Sequence, residues 1–175
     1  LHQQRSNYRL RVEALEKRQG AVHSQPKRLY HNLPAVRGTL IGREVELGVL
    51  LKAIYAPEAR LITLVGSNGA GKTRLALEAL YTVLTRAYDE RESQESSTFT
   101  PDSGLYFVHI PTDCNWRAAL PVMLTAALNI QTQEGSLLRQ IEEYLSSRQL
   151  LLVLDNTPHN IDLHAVTGPG GGATS

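Results

Sequence analysis

One continuous run, Leu61-Ile62-Thr63-Leu64-Val65-Gly66-Ser67-Asn68-Gly69-Ala70-Gly71-Lys72-Thr73, constrains the fold of this chain more than any other. Its first five residues are apolar or β-branched and read as a short strand. The residues behind it, Arg74-Leu75-Ala76-Leu77-Glu78-Ala79-Leu80, are helix formers. Between them lies the pattern G-x-x-x-x-G-K-T. Strand, glycine turn and helix in this order make one α/β unit. A plain turn would not need Gly-Lys-Thr at the helix start, so the pattern reads as a phosphate-binding loop.

The chemistry follows from the residue types. A triphosphate is a dense cluster of negative charge and calls for close donors with little steric bulk. Gly66, Gly69 and Gly71 let the main chain approach, and successive N–H groups through Ser67, Asn68 and Ala70 form an anion nest. The helix start adds unpaired N–H groups and the positive end of its dipole. Lys72 is the expected point charge on the β- and γ-phosphates, and the Thr73 hydroxyl the expected Mg²⁺ ligand.

About eighty residues further on comes Leu150-Leu151-Leu152-Val153-Leu154-Asp155-Asn156. A continuous apolar run ending in an acid reads as a buried parallel strand. Asp155 would emerge at its carboxyl end, where open α/β sheets bind ligands. This is the Walker B arrangement, with the acid as the second holder of Mg²⁺.

The rest of the chain bounds the reading. With 175 residues there is room for one domain and a flank. Residues 1–37 carry eight Lys/Arg against two Glu, and the remainder ten Lys/Arg against fifteen Asp/Glu, so a net charge of +1 hides a basic flank. That flank suits either nucleic acid or the solvated face of a helix and linker, and the second reading is favoured. Cys114 is the single cysteine, which excludes an internal disulfide and a cysteine zinc site. The six histidines show no ligand spacing. No signal peptide and no membrane-length apolar run is evident, and the cytoplasm is the expected location.

Coarse periodicity predicts a helix over Ser6–Arg18, a linker over 20–38, and a helix from about Val45 to Ile54. The helix after the loop is expected to end near Tyr88, with a polar loop over 89–103. A strand over 104–110, helices over 116–129 and 136–147, and the Asp155 strand follow. The expected domains are 1–37 (helix and basic linker), 38–163 (core) and 164–175 (flexible tail).

Taken in order, Asn32-Leu33-Pro34, Ile41-Gly42-Arg43-Glu44, the loop and its helix, Gly104-Leu105-Tyr106-Phe107-Val108 and Leu150–Asn156 resemble the STAND class of P-loop ATPases. The likeness covers about residues 32–160 and is closest to the NB-ARC-type module of large bacterial transcriptional regulators of the AfsR/SARP and LuxR-like kinds. It implies an α/β, three-layer P-loop NTPase fold with a parallel sheet, incomplete at the C-terminus and preceded by a short helix and linker. It implies an ATP- or ADP-binding switch with Mg²⁺ that changes closure and self-association. DNA would be reached only through a domain absent from this chain. Gly42 and Arg43 would lie over the adenine, although Arg43 equally fits a solvated helix start. Two departures stand out. Pro158 occupies the place where the family often has Glu, and Asn156 follows Asp155 where many ATPases have a second acid, so slow hydrolysis or none is expected. The family's later strand with a sensor arginine is missing, so a truncated module is expected. The alternatives are a freestanding P-loop ATPase or small-molecule kinase, and a remnant that binds nucleotide weakly.

Overall fold

The computed structural model describes residues 29–36, 38, 40–93 and 104–157. It divides into two compact units, Leu1–Leu105 and Tyr106–Ser175. The helix expected over Ser6–Arg18, residue Pro158 and the expected tail lie outside the described residues.

The first unit is built on two packed helices, α1 (Glu44–Ile54) and α2 (Lys72–Ser93). Its core follows the i,i+4 spacing of α2: Ala76, Leu80, Leu84 and Tyr88 are all buried, the last three at no more than 1% exposure. From α1, Leu50 and Leu51 are buried, whereas Val45 and Val49 are exposed. Helix α2 runs beyond its expected end at Tyr88, because Asp89-Glu90-Arg91-Glu92-Ser93 holds no glycine or proline to stop it. The expected loop over 89–103 therefore begins as helix.

A further expectation is corrected in this unit. Leu61–Val65 keeps a strand-like alternation, with Ile62 and Leu64 half-buried and Leu61, Thr63 and Val65 exposed, but it is not a strand. A strand is defined by its ladder, and none of these residues joins one among the described residues. The described part of the stretch expected as a linker makes contacts of its own. Leu29 is buried, the Leu105 N–H donates to the Tyr30 carbonyl at 3.0 Å, and His31 forms a parallel bridge with Leu105. The Tyr81 hydroxyl reaches the Pro34 carbonyl at 3.2 Å, and Arg74 Nη2 reaches the Gly38 carbonyl at 2.7 Å.

The second unit contains α3 (Trp116–Ala127), α4 (Leu137–Ser146) and a two-stranded parallel sheet of β1 (Leu105–His109) and β2 (Leu151–Asp155). Leu105, the first residue of β1, belongs to the first unit. Tyr106, Val108 and Ile110 pack with Leu120, Leu124 and Leu128 of the α3 region and Ile141 of α4. Helix α3 ends where Asn129 turns to φ +52°, and the Ile130 N–H reaches back to the Thr125 carbonyl at 2.9 Å. That is a Schellman closure with Asn where Gly is usual. β2 was expected to be buried and is half-buried throughout, since one strand flanks it among the described residues. Among the described residues, no helix is long and apolar enough to cross a membrane.

Candidate functional site

The loop of the first unit is organised around Lys72. Its ammonium donates to the carbonyls of Gly66 and Ser67, each at 2.9 Å, so the charge is folded back into the ring that the loop makes. The Ala70 N–H donates to the Ser67 carbonyl at 3.2 Å to close the turn, and the Leu75 N–H to the Gly71 carbonyl at 2.9 Å opens α2. Gly69 and Gly71 stand at φ +77° and +82°, a region that side-chained residues resist, and a Cβ on either would meet open space. Their requirement is therefore conformational. Gly66 differs: its φ is ordinary, and a Cβ there would rest against Ala70 at 3.6 Å and Lys72 at 3.8 Å.

Electrostatics favour an anion here. The first turn of α2 contains no acidic residue, so no carboxylate of that turn offsets the positive end of its dipole. Ser67, Asn68, Gly69, Gly71 and Thr73 all face solvent.

The segment expected over the base lies beside this loop. Arg43 Nη2 donates to the Ala70 carbonyl at 3.3 Å, and Nη1 pairs with Glu46 at 2.9 Å. A hydrogen bond to its own backbone, helped by Arg43, holds the Glu46 carboxyl below its usual range. The Gly42 N–H, at φ +70°, donates to Glu44 Oε1 at 3.2 Å and fixes the entry to α1. Sequence spacing did not reveal the contact from Arg74 to Gly38. Arg74 also pairs with Glu78 at 3.1 Å, so the residue after Thr73 ties the helix start to the upstream chain.

In the second unit, Asp155 ends β2 with its side chain 14% exposed. Its Oδ2 lies 2.9 Å from Nδ1 of His109, the last residue of β1, and its carbonyl accepts from the Ile110 N–H at 3.0 Å. Asn156 stands at φ +62°, and its side-chain amide donates to the Ile110 carbonyl at 2.7 Å. The position where a second acid was sought is thus a structural tie. His109 was not singled out from the sequence. Its only available signal was its place at a strand end, and the pairing register that makes it matter is not written in either strand.

The Thr73 hydroxyl in the first unit and the Asp155 carboxylate in the second are each oxygen donors of the kind Mg²⁺ takes. Among the described residues no group of three or more His, Cys, Asp or Glu forms a cage for a metal bound by protein alone.

No curated protein and no solved structure matches the chain. A family profile described as an AAA domain matches residues 56–165, more than half of the chain, and takes in both the loop at Gly66–Thr73 and Asp155. An AAA domain is a nucleotide-binding P-loop module with an α/β fold. The chain belongs to the AAA domain family.

Proposed function

We propose that the chain is the ATP- or ADP-binding module of a signal-transduction ATPase, working as a nucleotide-dependent switch within a transcriptional regulator. The observation that carries the nucleotide reading is the Lys72 ammonium, drawn into the loop by two carbonyls at the acid-free start of a 22-residue helix. A triphosphate would replace those carbonyls as the partner of the ammonium. Gly66 through Thr73 would cradle it, and Gly42 and Arg43 would border the base.

The switch reading is supported by the Arg43 contact to the Ala70 carbonyl, which links α1 to the loop. A ligand that reshapes the loop would be felt at α1. The ordered resemblance to NB-ARC-type modules points the same way, with residues 38–163 as the core. Thr73 and Asp155 are each proposed as Mg²⁺ ligands, the cation serving to neutralise phosphate charge. Hydrolysis is slow in this account: Asn156, in the place of a second acid, is spent on Ile110.

Calorimetry with ATP and ADP, paired with a phosphate-release assay, tests the proposal. Binding of both nucleotides with slow release supports a switch. Fast multiple turnover, or phosphoryl transfer to a small molecule, would replace the switch with an enzyme.

A further inference from the structure

His109 belongs to none of these roles, yet its Nδ1 lies 2.9 Å from Oδ2 of the Asp155 carboxylate. We propose that His109 is the positioning residue of Asp155, its Nδ1–H holding Oδ2 so that the carboxylate meets a divalent cation in one orientation. The inference rests on the reading of Asp155 as a metal ligand.

The geometry is built from both strand ends. In the parallel pair, the fifth residue of β1 faces the fifth of β2, and the two side chains meet at 2.9 Å. The backbone beneath them is pinned by the Ile110 N–H to the Asp155 carbonyl at 3.0 Å. Asn156 adds its amide to the Ile110 carbonyl at 2.7 Å and, at φ +62°, turns the chain away directly after the carboxylate. The contact is therefore made between fixed frames, not between two wandering side chains.

The chemistry suits a hydrogen bond that orients without competing. A carboxylate accepts, so the imidazole donates from Nδ1, and an imidazole can do so while uncharged. Lysine or arginine at this place would set a full positive charge against an incoming cation. The carboxylate is 14% exposed and the ring 59%. Donors that orient a ligating carboxylate characteristically change metal affinity when removed.

The test uses the full chain and the variants His109→Ala, His109→Asn and Asp155→Asn. Free Mn²⁺ is measured by electron paramagnetic resonance against protein saturated with ADP, and ADP affinity is measured separately in EDTA. His109→Ala should weaken Mn²⁺ binding about tenfold while leaving ADP affinity in EDTA at the wild-type value. His109→Asn places an amide donor close to the position of Nδ1 and should recover most of the loss. Wild-type Mn²⁺ affinity in His109→Ala, alongside a loss in Asp155→Asn, would overturn the role of His109 alone. So would a His109→Ala defect that is equally large in EDTA. Unchanged Mn²⁺ affinity in Asp155→Asn would overturn the metal reading of Asp155 and, with it, the role of His109.

Discussion

Leu61–Val65 and Leu151–Asp155 look alike as sequence: five residues, apolar or β-branched, each running into a candidate ligand motif. In the structure they differ. The second pairs in parallel with β1 and places Leu152 and Leu154 against the core of its unit. The first joins no ladder among the described residues and leaves Val65 88% exposed. Strand propensity describes a surface suited to pairing, and the neighbour decides whether pairing happens. The motif downstream survives either way. The loop at Gly66–Thr73 is shaped by bonds within itself and by the start of α2, whereas Asp155 is shaped by a strand 46 residues earlier in the chain.

Core truncations test this contrast with the largest expected effect. Ile110 is fully buried beside the paired strand, and Ile110→Ala should cost about 2–5 kcal/mol in a urea titration. Val65→Ala, in the unpaired run, should stay within about 0.5 kcal/mol. Comparable losses at the two positions would mean that the first run is packed after all.

The next effect lies within the loop. Gly71→Ala forces a side chain into φ +82° and should cost roughly 1–2 kcal/mol, with weaker nucleotide binding. Gly66→Ala meets only ordinary contacts, the nearest at 3.6 Å, and should fold with wild-type stability. At the strand end, Asn156→Ala removes the hydrogen bond to the Ile110 carbonyl and leaves alanine at φ +62°, while Asn156→Gly removes the hydrogen bond alone. We expect Asn156→Gly to lose about 1 kcal/mol and Asn156→Ala to lose more. The smallest effect belongs to Glu46. Its carboxyl is held below the usual range when folded, so its contribution is complete above the unfolded-state value and fades as pH falls through the lowered one. The stability difference between wild type and Glu46→Gln should therefore shrink in acid.

What was legible in the sequence was local. Gly-Lys-Thr, the apolar face of α2 and the acid ending β2 are each written in neighbouring residues, and the four helices among the described residues lie close to where periodicity puts them. What was not legible needed a partner. Neither strand encodes the register that sets His109 against Asp155, and no spacing rule links Arg43 to Ala70 or Arg74 to Gly38. The glycines of the loop looked equivalent until their dihedral angles separated Gly69 and Gly71 from Gly66. A stretch rich in proline and basic residues read as linker, although Leu29 and His31 are held against the fold.

The proposed nucleotide binding turns on Lys72 as the loop's hold on a triphosphate. Its most direct test is calorimetric titration of ATP with Mg²⁺ into the wild-type chain and into Lys72→Ala. Saturable one-to-one binding is expected of the wild type, with a loss on the order of 10- to 100-fold in the variant, the worth of one charge-assisted contact. No binding by the wild type, or equal affinity in the two, would contradict it.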